Sequence, residues 1–413
     1  MSRNAMNSTF RSGRYCLNQS SIKLFSYAMN IYKDIKFTPF YEYHLNEKAK
    51  MFDFCGWEMP LQYESIEKEH YQCRNQCSLF DVSHMLQTNI YGKRRYDFIE
   101  KLVVGDISEI SADKKNDQSL LLVSNACNSE KVKRLFASTK SSYFANDDIN
   151  IEYSNNALLS LQGPGTQHLL ENIPELKSKN LNHFYFMDSF VIPKFFNLEG
   201  PFRITRCGYT GEDGVEISLP QKYCTEILSK IFQMNGSNRG EKNVGISIKP
   251  AGLLIRDVLR LEAGLCLYGS DINEKTCPIE AGLGWTIGKR RVRDKDFPGA
   301  LKILESMKTL KNPEMKHMNC RRGFSMKMRG PIPRHGYTIH IKKANNEYHQ
   351  IGYVTSGTFS PAFKTNIAMG YLYLPYASVG NIVYINSPLT RKMNEYEIVK
   401  LPFLSPHYYY MSK

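Results

Sequence analysis

The sequence lacks several features that would assign it quickly to a known class. Its 413 residues contain no apolar run close to the roughly 20 that a membrane-spanning helix needs. There is no Cys-x-x-Cys pair, no His-Glu-x-x-His helix and no Gly-x-Ser-x-Gly elbow. These absences argue against zinc ribbons, thioredoxin-like centres, zincins and α/β-hydrolases. We therefore expect a globular chain of two or three domains without a membrane partner.

Acidic residues are scarce at the N-terminus. Residues 1–36 contain six Lys and Arg residues against Asp34 alone, and so carry five of the +14 formal charges. The segment is rich in Ser and Asn and has no secretory apolar core, which predicts a mitochondrial-type transit peptide. The alternative is a disordered tail. The remaining chain is still basic, which favours acidic partners.

The ten cysteines are scattered and form no metal-binding motif. His70, Cys73 and Cys77 could share one helix face, but no fourth ligand accompanies them, so we expect no metal. The spacing favours reduced, structural thiols. A lone His84 is more often a structural histidine than a catalyst, and we interpret it in that way.

The stretch Arg206–Ser218 has the most informative pattern in the chain. Apolar and polar residues alternate on both sides of a turn that contains three glycines, which predicts a β-hairpin. With the apolar residues of the second strand facing the core, Glu216 would face the other way, near the turn that carries Tyr209. A carboxylate and an aromatic ring on a rigid hairpin are typical of a ligand pocket.

Residues 251–263 are predicted to form a helix that ends at Gly264. Arg256 and Arg260 lie four residues apart on its polar side, an arrangement that is unfavourable by roughly 0.2–0.5 kcal/mol in an isolated helix. An acid or an electron-rich ligand opposite them would reverse that effect, and Glu216 is one candidate. Two solvated surface arginines are an equally supported alternative.

From about residue 318 onward, short β-like runs with dense turns predict a separate all-β domain, a sandwich or a barrel. Two glycine-rich stretches do not indicate nucleotide binding. Gly282–Arg290 has the wrong spacing for a phosphate-binding loop, and a strand rather than a helix follows Gly208–Gly214. The basic cluster Lys289–Arg293 lacks the interleaved aromatics of a nucleic-acid surface, so we expect no nucleic-acid partner.

Taken together, these stretches resemble the aminomethyltransferase family, the T-proteins of the glycine cleavage system. The resemblance covers most of the chain from about residue 38 and rests on Gly56–Tyr63, Ser78–Gln87, Val123–Ala126, Leu161–Pro164, Arg206–Ser218, Arg256–Asp271, Pro278–Arg291, Val354–Gly357 and Asn366–Tyr371.

The resemblance implies an α+β fold in a three-domain cloverleaf arrangement. A discontinuous first domain, residues 37–77 plus 157–268, would bind folate. A second mixed α+β domain would span residues 78–156. Residues 269–413 would form a linker and a C-terminal all-β domain of barrel or jelly-roll type.

It also implies the reaction. Family members take an aminomethyl group from the lipoyl arm of the H-protein, release ammonia and transfer the one-carbon unit to tetrahydrofolate, which gives methylene-tetrahydrofolate. The matched positions place Glu216, Arg256 and Tyr209 at the pterin, with Asn125 at a nearby strand end. Tyr408 matches, more loosely, a tyrosine of the C-terminal tail. The implied location is the mitochondrial matrix.

One departure from the family concerns the catalytic residue. Family members carry, between the stretches that match Gly105–Ile107 and Leu121–Asn125, a pair of strands with Gly-Gly-Ile-x-Asp-Asp, whose aspartate assists at the folate. This segment is absent here, and the surroundings of Asp113 and Asp117 resemble a solvated loop. We therefore assign no catalytic residue. The loss should also expose a sheet edge in the second domain.

Three explanations are open: a sequence that omits an exon, a folate-binding protein of the same superfamily with impaired catalysis, or another acid in the missing role. We favour an omitted exon, because the stretches around the gap keep the family pattern.

Overall fold

The computed structural model describes residues 35–108, 119–177, 187–235, 245, 247–310, 318–388, 390 and 392–409. The predicted leader, apart from its last two residues, lies outside these ranges, as do Asp113 and Asp117. Among the described residues, no helix combines the length and the apolar character needed to cross a bilayer.

The chain begins with a small sheet and two helices. Its first elements are β1 (Lys36–Phe37), α1 (Tyr41–Asn46), β2 (Lys50–Phe54), β3 (Trp57–Gln62), α2 (Ile66–Asn75) and β4 (Cys77–Asp81). The first three strands form one sheet in the order β1-β3-β2. Ser65 caps α2 by accepting a hydrogen bond from the backbone N–H of Lys68, which satisfies one of the free donors at the helix start.

The next segment forms a separate three-stranded sheet. It comprises β5 (Leu86–Tyr91), α3 (Arg95–Glu100), β6 (Ser119–Ser124), α4 (Ser129–Tyr143) and β7 (Asn150–Ser154). The strand order is β6-β5-β7, and within the described residues β6 pairs with β5 alone. The other side of β6, the strand that follows the shortened connection, therefore has no strand partner among the described residues.

The chain then returns to complete a six-stranded sheet. The elements are β8 (Ala157–Gln162), α5 (Gly165–Glu171), α6 (Pro174–Lys177), β9 (Ser189–Phe195), β10 (Leu198–Thr205), β11 (Gly214–Leu219), α7 (Cys224–Gln233), β12 (Ile248–Pro250) and α8 (Leu253–Glu262). The strand order is β12-β4-β8-β11-β10-β9. Because β4 lies inside this sheet, the domain boundary that we predicted at residue 78 divides a strand of the first domain.

The central strand β8 is buried along its whole length, in keeping with its nearly continuous apolar sequence. Leu159 and Leu161 pack with α7 on one face of the sheet, whereas Leu158 packs with α8 on the other. Burial of one such side chain stabilises the fold by about 1.5–3 kcal/mol. The sheet is thus covered on both faces, and α8 is fixed against it.

The C-terminal domain is a closed antiparallel barrel, which confirms the all-β prediction and selects the barrel. After α9 (Lys289–Asp294) and α10 (Ala300–Leu310), its strands are β13 (Asn319–Met326), β14 (Thr338–Lys342), β15 (Tyr348–Ser360), β16 (Thr365–Tyr373), β17 (Ile382–Ser387) and β18 (Lys392–Val399). They close in the order β13-β16-β15-β14-β17-β18, and closure removes the exposed edges.

The basic cluster of α9 serves a structural role. Arg290 donates to Glu100 over 2.6 Å and to Asp106 over 2.9 Å. Arg291 is almost fully buried and also bonds Glu100, over 3.0 Å. These contacts fasten the linker to the β5–β7 segment, so these two charges are not free for phosphates.

The prediction that the cysteines are reduced thiols is wrong for one pair. Cys55 and Cys127 form a disulfide with a Cα–Cα distance of 5.2 Å, although they lie 72 residues apart. Sequence spacing cannot reveal a pair that only the packing of two sheets brings together. His70 bonds the carboxylate of Glu262 instead of a metal, and the described residues contain no group of three or more metal-ligating side chains.

Candidate functional site

The predicted hairpin is confirmed. Strands β10 and β11 are antiparallel, with Thr205 opposite Glu216 and Ile204 opposite Ile217. Ile217 is fully buried in the core beneath the sheet, together with its alternate neighbours on β11. The side chain of Glu216 consequently lies on the other face of the sheet, the face that α8 covers.

The turn of the hairpin is shaped around one buried amide. Gln162, at the end of β8, donates to the carbonyl oxygen of Cys207 over 3.0 Å and accepts from the hydroxyl of Thr210 over 2.9 Å. A Cβ atom at position 208 would overlap this amide, so only glycine fits there. Gly211 has a φ of +83°, which also favours glycine.

Ion pairs hold the turn on both sides. Arg206 and Asp213 form a bidentate pair with distances of 2.9 and 2.5 Å across the base of the turn. Arg74 of α2 donates to the carbonyl oxygen of Thr210 over 2.8 Å and to Glu212 over 2.7 Å. Since most of these groups are buried or half-buried, the turn that carries Tyr209 is held firmly.

Glu216, Arg256 and Tyr209 come together, as the sequence predicted. The Oε1 atom of Glu216 lies 3.9 Å from the Nη2 atom of Arg256, and their side chains are only 14% and 12% exposed. The guanidinium of Arg256 lies 5.2 Å from the ring centroid of Tyr209. A separation of 3.9 Å is too long for a hydrogen bond, so the carboxylate keeps acceptor capacity for a ligand.

Arg256 retains a donor for a ligand. Its Nη1 atom is buried and has no hydrogen-bond partner among the described residues. An unpaired buried donor on a charged group is costly, and such groups normally have a partner. The open acceptor of Glu216 and the unpaired donor of Arg256 can both bind one planar ligand that carries complementary N–H and acceptor groups.

The surroundings tune the charges of this cluster. Burial raises the pKa of Glu216, an effect that Arg256 and the thiol of Cys207 oppose without cancelling it. Burial likewise raises the pKa of Tyr209, whose hydroxyl donates to the carbonyl oxygen of Cys266. The cluster is therefore largely dry, and electrostatic contacts within it are strong.

Phe80 and His84 form the floor of the cluster, on and just beyond β4. The guanidinium of Arg256 lies 5.8 Å from the ring centroid of Phe80. His84 is buried, its Nδ1 atom has no hydrogen-bond partner within the described part of the chain, and burial lowers its pKa to about 4, with a smaller contribution from Arg256. His84 is consequently neutral at pH 7, and its ring contacts Phe54 edge-on at 5.5 Å.

The second arginine of α8 has a different partner. Arg260 is buried and bonds Asp271 over 2.5 Å, and its Nη2 atom donates to Ser356 of the barrel over 2.9 Å. The alternative of two solvated arginines is therefore wrong for both residues. Arg256 faces the hairpin cluster, whereas Arg260 ties α8 to the C-terminal domain.

Asn125 and Tyr408 are the two remaining predicted site residues. Asn125 is exposed and stands at the end of β6, two residues after Val123, which packs against the cluster that contains Phe80. Tyr408 is half-buried in a tail that lies on the hairpin turn, because the backbone N–H of His407 donates to Gly211 over 2.8 Å. The end of β6 therefore lies near the Phe80 side of the site, and the tail that carries Tyr408 lies on the hairpin turn.

A cleft of about 1020 Å³ lies elsewhere, between α1, α7 and β12. Tyr43, Phe232 and Lys249 are among its lining residues, and none of the predicted site residues borders it. Its wall includes charges of both signs without a focused group, and it adjoins residues that the structure does not describe. We therefore place the candidate site at the hairpin cluster.

Comparisons with known proteins agree with this fold. The family model described as the GCVT N-terminal domain matches residues 40–116 and 110–291, and that of the glycine cleavage T-protein C-terminal barrel domain matches residues 320–404. The two N-terminal matches overlap at residues 110–116, inside the shortened connection before β6.

Relatives cover nearly the whole chain. The mitochondrial aminomethyltransferase of Homo sapiens is 38% identical over 90% of this chain and 91% of its own length. The aminomethyltransferase of Thermoanaerobacter pseudethanolicus is 35% identical, with coverages of 86% and 95%. The glycine cleavage system aminomethyltransferase T from Bartonella henselae has a similar crystal structure, with a TM-score of 0.74, 30% identity and coverages of 91% and 100%.

These matches define a folate-dependent transferase with an α+β N-terminal part and a C-terminal barrel. The chain belongs to the aminomethyltransferase family, the T-proteins of the glycine cleavage system, which use tetrahydrofolate as co-substrate.

Sequence reasoning missed Cys207 and Phe80 as members of the site. The thiol of Cys207 opposes the rise in the pKa of Glu216, and the ring of Phe80 lies beneath Arg256. The sequence did contain a signal for Cys207. It lies two residues after Thr205, the strand residue that pairs with Glu216 in the hairpin. The sequence contained no comparable signal for Phe80, because its neighbour on α8, Arg256, is far away in the sequence.

Proposed function

We propose that this protein releases ammonia from the aminomethylated lipoyl arm of an H-protein and transfers the one-carbon unit to tetrahydrofolate, which gives methylene-tetrahydrofolate. The observation that supports this proposal most strongly is the buried cluster of Glu216, Arg256 and Tyr209 on the hairpin and α8. The family membership supplies the reaction class, and the cluster supplies the means of binding the co-substrate.

The cluster suits a reduced pterin in three respects. The carboxylate of Glu216 can accept two adjacent N–H groups of the ring, a bidentate arrangement that strengthens both bonds. The orphaned Nη1 of Arg256 can donate to an acceptor on the same ring. Tyr209, held by its hydroxyl on the carbonyl oxygen of Cys266, supplies an aromatic surface for packing.

The protein's part in this reaction is mainly positioning. Tetrahydrofolate provides the nitrogen nucleophiles, while the rigid hairpin and α8 fix the pterin end relative to the incoming carbon. The neutral, buried His84 and the dry floor around Phe80 exclude water from this end. We assign no general acid or base to any described residue.

The proposed location is the mitochondrial matrix. The basic, acid-poor residues 1–36 support an import signal. Relatives from Homo sapiens, Dictyostelium discoideum and Pisum sativum carry mitochondrial names. The excess positive charge also suits an acidic carrier protein and polyglutamylated folate.

A catalytically impaired folate-binding protein is the second candidate, because the family segment with Gly-Gly-Ile-x-Asp-Asp is absent before β6. Both candidates require folate to bind at Glu216. They differ in turnover alone.

Ammonia release from aminomethylated H-protein, measured with and without tetrahydrofolate, separates the two candidates. The transferase predicts release that depends on tetrahydrofolate. Folate binding without release would support the impaired protein instead. Absence of folate binding would contradict both.

A further inference from the structure

The disulfide between Cys55 and Cys127 joins two separate sheets next to the candidate site. Cys55 is half-buried in the turn between β2 and β3, where its φ is 55° and that of Gly56 is 77°. Cys127 is exposed in the single turn of 3-10 helix at Ala126–Asn128, directly before α4. The bond therefore links the small N-terminal sheet to the β5–β7 segment.

Besides joining two sheets, the disulfide lies near the residues that form the floor of the candidate site. Phe54, the neighbour of Cys55, contacts the ring of His84 on the floor of the cluster. Cys127 follows Val123 by four residues, and Val123 packs against the hydrophobic cluster that contains Phe80. One end of the bond is thus one residue from Phe54, which contacts His84, and the other end is four residues from Val123, which packs against the Phe80 cluster.

The other described cysteines differ from this pair. They are unpaired and either buried or half-buried: Cys73, Cys77, Cys207, Cys224, Cys266, Cys277 and Cys320. Burial raises the pKa of Cys73, and that of Cys77, to about 12, which keeps them as inert thiols. Among the cysteines that the structure describes, Cys127 alone combines exposure with a partner at a Cα–Cα distance that permits a disulfide.

We propose that Cys55 and Cys127 form a reversible redox pair that a small-molecule disulfide, such as glutathione disulfide, oxidises. The thiolate of Cys127 attacks one sulfur of the glutathione disulfide, forms a mixed disulfide and releases one glutathione thiolate. The thiolate of Cys55 then attacks the Cys127 sulfur and releases the second glutathione. Two cysteine S–H bonds are lost, one S–S bond forms, and the glutathione disulfide is reduced to two thiols.

The consequence for the site rests on the proposed function. The closed bond fixes the Asn125 turn against the sheet that carries Phe54, and so completes the rim of the folate pocket. Opening the bond leaves this rim to the contacts of Val123 and of β6, which is an edge strand. We expect the reduced protein to bind tetrahydrofolate about fivefold or more weakly than the oxidised protein, a typical size for coupling between two sites.

The first test concerns the bond itself and needs no folate. The full chain is equilibrated at a series of ratios of glutathione disulfide to glutathione, quenched with an alkylating reagent and mapped by peptide mass. We expect Cys55 and Cys127 to escape alkylation together, with one shared midpoint, as a peptide pair lacking two hydrogens. Alkylation of both residues at every ratio, or capture of Cys127 as a glutathione adduct alone, would overturn the proposal.

Variants control for other cysteines and for misfolding. Cys55→Ala should turn the Cys127 peptide into a glutathione adduct, whereas Cys277→Ala, at a half-buried unpaired cysteine, should leave the shared midpoint unchanged. If Cys55→Ala fails to fold, Cys55→Ser keeps the polarity and size of the side chain for the same measurement. A shift of the midpoint in Cys277→Ala would count against the assignment of the pair.

The second test measures tetrahydrofolate affinity of the oxidised and the reduced chain. A fivefold or larger difference that disappears in the Cys55→Ala, Cys127→Ala double variant supports the coupling to the site. Equal affinities overturn the coupling while the redox pair stands. If neither form binds tetrahydrofolate, the proposed function fails, and the peptide map still decides the fate of the pair.

Discussion

The carboxylate of Glu216 and the guanidinium of Arg256 face each other at 3.9 Å in a nearly dry setting, on a hairpin strand and a helix that lie 40 residues apart. Burial alone would push the carboxylate toward its neutral form, and Arg256 opposes that tendency. The protonation state of Glu216 in the free protein therefore depends on Arg256. The capacity of the carboxylate to accept hydrogen bonds from N–H groups depends on Arg256 for the same reason.

Substitution of Arg256 should change the pH dependence of tetrahydrofolate binding. Since the pKa of Glu216 is already raised, affinity should fall as the pH drops through that raised value, because the protonated carboxyl group loses acceptors. Arg256→Ala should move this fall to higher pH and cost about 1.5–3 kcal/mol of binding at neutral pH. Titrations across pH 5–8 would measure both effects.

Arg256→Lys is the matched control for this prediction. It keeps the positive charge but not the planar guanidinium, so the fall in affinity should stay near its wild-type pH while overall affinity weakens. An identical pH profile in Arg256→Ala and the wild type would mean that Glu216 does not titrate in binding.

The buried pair of Asp81 and His44 should stabilise the first domain. Burial would raise the pKa of Asp81, but bonds from His44, Ser83 and Thr38 lower it below its ordinary value. A lowered folded-state pKa contributes stability above the unfolded pKa of about 3.9 and loses it as the pH falls through the folded value. Asp81→Asn should thus cost about 3–5 kcal/mol at pH 7.

Urea unfolding at several pH values would measure this cost, and the difference from the wild type should shrink below about pH 4. Asp97→Asn is a suitable control, since Asp97 is 59% exposed and its loss should change stability by less than about 0.5 kcal/mol. Equal stabilities of Asp81→Asn and the wild type at pH 7 would show that the pair contributes nothing.

Glu100 should anchor the β5–β7 segment to the linker. Its carboxylate bonds Arg290 and the almost fully buried Arg291, so Glu100→Gln leaves Arg291 with the half-exposed Asp296 as its remaining carboxylate partner. We expect a loss of about 3 kcal/mol in unfolding free energy and faster proteolysis within the β5–β7 segment. Glu130→Gln, at a position 68% exposed, should leave both unchanged.

The open edge at β6 leads to a prediction about the transcript. If an exon is missing from the sequence, reads across Gly105–Val123 should reveal a longer form that contains the Gly-Gly-Ile-x-Asp-Asp strands. Uninterrupted reads of the short form would contradict our preference and favour the impaired folate-binding protein.

Features that depend on local periodicity were predictable from the sequence. The hairpin, α8 with its stop at Gly264 and the C-terminal barrel all follow from alternation, helical spacing and turn residues. The pairing of Glu216 with Arg256 was predictable as a candidate, because two like charges four residues apart on a helix call for an opposing group.

Features that depend on long-range packing were not predictable. The disulfide of Cys55 and Cys127 joins two sheets whose relative placement the sequence does not encode in any spacing. Likewise, Arg74 of α2 reaches both the hairpin turn and Glu262 of α8, over 2.6 Å in the latter case. Such contacts become visible only when distant helices are packed on one sheet.

The most direct test of the account is a tetrahydrofolate titration of Glu216→Gln beside the wild type. Glu199→Gln serves as the control, because Glu199 lies on the same hairpin with its side chain 73% exposed. We predict a loss of about 1–3 kcal/mol in binding free energy for Glu216→Gln and none for Glu199→Gln. Unchanged affinity in Glu216→Gln would remove the carboxylate from the pocket and contradict the central claim.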